Sequence, residues 1–186
     1  MKTQAFKTPK AFRLWLEENH AKSDGFWMRI FKLKSDKPSI TYAEALDQAL
    51  CFGWIDGQKL PHDEHSWLQK FTPRRARSRW SKRNTVHVER LIQDSLMTAA
   101  GLKAVETAKA DGRWEAAYES PRNANVPADF LQALARDKKA SAFFKTLNKA
   151  NLYAIVYLLQ SAKKAETRER RMQKILTMLS RGEKFH

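Results

Sequence analysis

The spacing of apolar residues changes near residue 81, and that change commits the chain to a mixed fold whose later part is helical. Ahead of it, three stretches read as strands. Phe26 to Leu33 is aromatic and rich in strand formers, and Trp54 to Lys59 and Ser66 to Phe71 flank a polar loop from Pro61 to His65. In the last stretch Trp67, Gln69 and Phe71 alternate with Leu68 and Lys70, so the two sets face opposite sides of a sheet. Two helices accompany these strands. Thr8-Pro9 predicts an N-cap followed by proline at the first helical position, where its missing N–H costs nothing. That helix carries Phe12, Trp15 and Leu16 on one face and ends near Asn19-His20, before a turn at Asp24-Gly25. A polar turn from Lys34 to Ser39 leads to a capping box, Thr41 to Glu44, and the helix it opens runs to about Phe52 with Gly53 as its stop.

Beyond residue 81 the apolar clusters recur at helical spacing. Ser81 heads a helix containing Val86, Val88, Leu91 and Ile92, and Thr98 heads another through Leu102, Val105 and Ala108 to Gly112. Glu119 to Asn125, with Pro121 and two asparagines, is the candidate linker. Pro127 opens a helix with Phe130, Leu131 and Leu134, and Asp137 caps one with Phe143, Phe144 and Leu147. Two longer helices follow, Leu152 to Ser161 and about Ala165 to Leu179, and Gly182 ends the last. The expected fold is α+β: a small three-stranded antiparallel sheet with helices in the N-terminal half, then a mostly helical C-terminal half. The expected units are residues 1–122 and 123–186, the second packed on the first.

Charge is the strongest compositional constraint on partners: 35 Lys and Arg against 20 Asp and Glu give +15. It is concentrated in two places. Residues 71–90 carry seven basic side chains and one acidic, and residues 141–186 carry ten and three. Such clusters attract polyanions, nucleic acid and anionic lipid surfaces alike; solubility alone is the plainer explanation. Cys51 is the single cysteine, which excludes an intrachain disulfide and fits a reducing compartment. Met1 to Phe6 lead into no apolar run, and no stretch approaches a membrane span, so a cytoplasmic location is expected.

Three groups of residues invite a chemical reading. Arg74, Arg75, Arg77 and Arg79 precede the helix start at Ser81, and Lys82 and Arg83 follow it. Guanidinium groups grip phosphate in pairs, and a helix N-terminus adds partial positive charge. Trp80 is a candidate stacking surface for a base, although tryptophans in such positions usually belong to the core. Trp54, Asp56, Trp67 and Arg75 form an alternative pocket for a small phosphorylated or carboxylated ligand, against the plainer reading that Asp56 holds a turn or pairs with Arg75. In the tail, Arg168, Arg170, Arg171 and Lys174 crowd the early part of the last helix, where cations oppose the helix dipole. That pattern reads as a basic helix-turn-helix or, more simply, as a helical hairpin with a solvated basic surface. His62 and His65 lie in a hairpin loop without an evident third ligand, so no metal site is expected. Cys51 sits on an apolar helix with no histidine placed beside it, and no catalytic residue and no cofactor is assigned.

Leu50 to Gly57 (LCFGWIDG), Trp67 to Arg75 (WLQKFTPRR), Ser78 to Asn84 (SRWSKRN) and Ala162 to Arg171 (AKKAETRERR) together resemble the YdeI/OmpD-associated family. Ala165 stands where such proteins often have proline. The resemblance implies a link to bacteriocin or antimicrobial-peptide tolerance and a CyaY/YjbR-like first half. It does not bring iron binding, since the first helix has only the adjacent Glu17 and Glu18 in place of an acidic ridge. The expected function is a non-enzymatic basic binding protein for an anionic partner, nucleic acid first, with the small-ligand pocket as the alternative.

Overall fold

Short-range capping chemistry sets the helix starts. In a computed structural model that describes residues 1–119, 125–162 and 164–185, Thr8 Oγ1 accepts from Ala11 N at 3.2 Å and opens α1 (Pro9–Asn19). Thr41 and Glu44 cap one another's backbone N–H at the start of α2 (Tyr42–Cys51). Gly53 follows with φ of 72°, the left-handed conformation that ends a helix at little cost to glycine. The chain divides into two compact units, Met1–Ala117 and Tyr118–His186. Residues 120–124, the body of the expected linker and the expected boundary at 122, lie outside the described residues.

The sheet of the first unit corrects the expectation of three antiparallel strands. It has four, β1 (Thr3–Gln4), β2 (Phe26–Phe31), β3 (Trp54–Pro61) and β4 (Ser66–Pro73), in the order β1-β2-β4-β3. β1 runs parallel to β2, Thr3 opposite Trp27 and Gln4 opposite Met28, and the other pairs are antiparallel. A strand of two residues displays no alternation, and a parallel pair is joined by a crossover, here through α1, instead of a recognisable turn.

The β2–β4 register places Phe26 opposite Phe71, Met28 opposite Gln69 and Ile30 opposite Trp67 on the face that meets the core. Phe12 of α1 meets Phe26 and Phe71 with ring centroids 5.9 and 5.8 Å apart. On β3 the pairing passes from Asp56–Phe71 to Lys59–Gln69, so β3 carries one additional residue, a bulge. Gln69, 3% exposed, explains its own burial there: its Nε2 donates to Gly57 O at 2.9 Å and Gln58 O at 3.3 Å. α3 (Lys82–Gln93) and α4 (Ala99–Ala110) complete the unit. α4 approaches the end of α2 so closely that a Cβ on Gly101 would stand 2.2 Å from Cys51 O, the carbonyl that Thr98 Oγ1 donates to at 2.7 Å.

The second unit contains α5 (Ala128–Ala135), α6 (Lys138–Phe144), α7 (Lys149–Gln160) and α8 (Ala165–Ser180). Phe130, Leu134, Ala140, Ile155, Leu159, Ile175 and Leu179 form its separate core. Asn148 caps α7 by accepting from Asn151 N at 3.0 Å. Among the described residues no helix is long and apolar enough to cross a membrane.

Candidate anion-binding site

The basic segment between β4 and α3 is a folded loop built around Trp80. Arg74 N donates to Gly53 O at 3.0 Å, which ties the loop to the end of α2. The Arg74 guanidinium carbon lies 3.4 Å from the Trp80 ring centroid, and its Nη1 donates to Arg79 O at 3.2 Å. Ser78 Oγ accepts from Arg75 N at 3.0 Å, and Ser78 O accepts from Arg113 Nη1 at 2.9 Å. Arg113 is held in turn by Asp111, whose carboxylate lies 2.7 Å from its Nε.

Trp80 is therefore core. It is 2% exposed, and its ring centroid lies 4.9 Å from that of Trp114. With Arg74 stacked on it, the ring has no open face for a base, which corrects its candidacy as a stacking surface. Among the described residues its Nε1 finds no hydrogen-bond acceptor. The other nominated cations, Arg75, Arg77, Arg79, Lys82 and Arg83, are exposed. Ser81 Oγ accepts from Asn84 N at 3.2 Å, so Lys82 and Arg83 occupy the first turn of α3, which has no acidic residue. Positive charge there works against the helix dipole and favours an incoming anion.

Arg75 also lines a groove of about 240 Å³. Phe52, Gly53, Arg74, Arg75 and Ala76 line it together with Ala100, Lys103, Ala104 and Thr107 of α4 and with Arg113. The α4 residues recur at helical spacing and share a face. Four lining side chains are cationic and none is a carboxylate. Sequence reasoning missed Lys103 and Arg113, which lie in a stretch where acids balance bases. Only the close approach of α4 brings them here, and a Cβ on Gly53 would stand 3.0 Å from Ala100 O.

The alternative four-residue pocket does not assemble. Trp54 is 1% exposed, with Nε1 donating to His20 O at 3.1 Å. Asp56 accepts from Tyr42 Oη at 2.7 Å, so its partner is Tyr42 and not Arg75. Trp67 lies under Lys59 Nζ, 4.2 Å from its ring centroid, and lines a different groove with Tyr42 and Phe31. Arg75 is the one member that belongs to the cationic groove.

Several other charged residues hold structure together. Asp47 of α2 bridges to α3, 2.8 Å from His87 Nδ1 and 2.5 Å from Arg90 Nη2. That assigns Arg90, one of the seven basic residues in the 71–90 segment, to helix packing. In the tail, Arg168 pairs with Asp129 in the first turn of α5. Arg171 Nη1 donates to Leu158 O at 2.7 Å and Ser161 Oγ at 2.9 Å, closing the end of α7. Arg168 and Arg171 of α8 thus answer to neighbouring helices, while Arg170 and Lys174 are exposed. Asp63 of the hairpin loop accepts from Ser66 Oγ, His65 N and Arg29, and these bonds, that from Ser66 first, hold its pKa down at about 2. Among the described residues no cluster of three His, Cys, Asp or Glu could hold a metal ion. Cys51 is fully buried, and burial pushes its thiol pKa up despite the nearby Arg13 guanidinium.

Residues 4–104 match the family model described as a domain of unknown function (DUF8412). Residues 123–182 match the one described as bacteriocin-protection, YdeI or OmpD-associated. The second match falls on the tail carrying the AKKAETRERR motif, while the motifs between residues 50 and 84 fall within the first match. No curated protein and no solved structure matches the chain.

Proposed function

Since the chain belongs to the DUF8412 family and carries a YdeI/OmpD-associated region, we propose from the chemistry of its site that it is a non-enzymatic binding protein for a polyanion, nucleic acid first. The supporting observation is the grouping of exposed Arg75, Arg77, Arg79, Lys82 and Arg83 with a groove lined by four cations and no carboxylate. A row of cations distributed over a loop and a helix start suits a ligand that repeats its charge. The groove alone favours a second reading, a small phosphorylated ligand seated beside Arg75, Lys103 and Arg113. The bacteriocin-protection description of the tail family supports a stress-tolerance setting for either.

The test is a titration of labelled 20-base-pair DNA with nuclease-treated protein, followed by anisotropy, beside the Arg75→Ala/Arg79→Ala variant. Polyanion binding predicts tight association at low salt, at least a tenfold loss in the variant and weak competition by inorganic phosphate. Absence of duplex binding together with saturable phosphate binding would replace the polyanion by the small ligand.

A further inference from the structure

The nominated tryptophan is buried, yet two aromatic residues of the sheet, Trp27 and Phe31, stand outside both cores. Strand alternation sends Trp27, Arg29 and Phe31 of β2 and Leu68 and Lys70 of β4 to the sheet face opposite the core. Trp27, Phe31 and Leu68 are half-buried and pack against neither core cluster. Trp27 has one cation over its ring and Phe31 has two. Lys70 Nζ lies 5.8 Å from the Trp27 ring centroid, while Arg29 Cζ and Lys37 Nζ lie 4.5 and 5.5 Å from that of Phe31. The β2 and β4 positions on this face hold no carboxylate. Asp63, from the adjoining hairpin loop, pairs with Arg29 and leaves Lys70 and Lys37 for another anion.

We propose that this outer sheet face binds an unpaired strand of nucleic acid, with bases against Trp27 and Phe31 and phosphates at Lys70 and Lys37. The inference deepens the polyanion reading and rests on it. A protein partner with an apolar surface would bury the cations uncompensated, whereas a polynucleotide offers flat rings and phosphates together. Trp27 and Phe31 are four residues apart on one strand, about 13 Å, far more than the ~3.4 Å between stacked bases. A splayed single strand meets that spacing, and a duplex hides its base faces.

The test compares a labelled 12-nucleotide strand, as DNA and as RNA, with a duplex of equal length, by anisotropy on the full chain. The variants are Trp27→Leu/Phe31→Leu, Trp27→Phe as the conservative control, and the loop variant Arg75→Ala/Arg79→Ala. The expected result is a loss for the strand on the order of 30-fold or more in the double leucine variant, since each stacked base contributes substantially. Duplex affinity should hold in that variant, and Trp27→Phe should retain strand binding. Equal losses for strand and duplex, or strand affinity unchanged, would overturn the inference. Should the double leucine variant unfold, judged by circular dichroism, Lys70→Ser with Lys37→Ser must weaken the strand more than the duplex, and failure to do so overturns it equally. A wild-type chain that binds neither probe ends the polyanion reading as well. Loss confined to the loop variant leaves that reading standing and removes only the sheet face.

Discussion

Replacing Trp80 separates a core strut from a ligand platform. Trp80→Leu removes the ring that Arg74 covers and that meets Trp114 at 4.9 Å. Full truncation of a buried aromatic costs about 3–5 kcal/mol, so the leucine variant, which refills part of the space, should lose about 2–4 kcal/mol. About 1–2 kcal/mol of this is the stacked guanidinium. Trp80→Phe behaves differently. It keeps a ring against Trp114 and Arg74 and removes an indole N–H that has no acceptor among the described residues. Burial of such a donor costs about 1–3 kcal/mol, which offsets the lost packing and leaves the variant within about 1 kcal/mol of wild type. Urea unfolding followed by circular dichroism measures both, read as a shift in midpoint at unchanged slope. Nucleic-acid affinity, measured where each variant is folded, should be unchanged. A leucine variant as stable as wild type but tenfold weaker in binding would refute the assignment of Trp80 to the core. A phenylalanine variant losing several kcal/mol would refute the argument from the unmatched N–H.

Other substitutions test other joints of the fold. Gly101→Ala places a Cβ 2.2 Å from the Cys51 carbonyl, so α4 must move off α2. A loss of about 2–4 kcal/mol in urea is expected, at and above the upper part of the usual range for overpacking, because the obstacle is backbone. Arg171→Ala strips a charged donor from Leu158 O and Ser161 Oγ and should destabilise the second unit by about 1–3 kcal/mol, with faster amide exchange at the end of α7. Asp63 has a folded pKa of about 2 against an ordinary 3.8, so its hold on the hairpin is complete above the ordinary value and is lost as pH falls through 2. Carboxyl-carbon NMR should give a midpoint near 2 for Asp63, and a midpoint near 4 would show that the Ser66 and His65 bonds do not persist in solution.

What was legible in the sequence was chemistry confined to a few residues. Thr8, Thr41, Ser81, Thr98 and Asp137 each declared a helix start through a side chain that accepts from a backbone N–H three residues on. β1 was hidden because a two-residue strand exists only through its partner. The inward face of α3 proved to be Asn84, Thr85, Val88 and Leu91, with Val86 63% exposed, because Val86 and Val88, two residues apart, point to different sides of a helix. The segment from Arg74 to Arg83 was visible as charge, but its division was not: Arg74 covers Trp80, while Arg75, Arg77, Arg79, Lys82 and Arg83 face solvent. Lys103 and Arg113 join the groove with residues 27 or more positions earlier in the chain, and local patterns carry no record of such distances. Trp27 and Phe31 read as ordinary strand residues until the register with β4 fixed which face they occupy.

The most direct test of phosphate binding by the basic loop is the slope of log affinity against log salt for the 20-base-pair duplex, measured for wild type and for Arg75→Ala/Arg79→Ala. Five phosphate contacts, one for each exposed cation from Arg75 to Arg83, predict a wild-type slope of about −4.5, and removal of two predicts about −2.7. Binding that is absent at low salt, or a slope that the two substitutions leave unchanged, would contradict it.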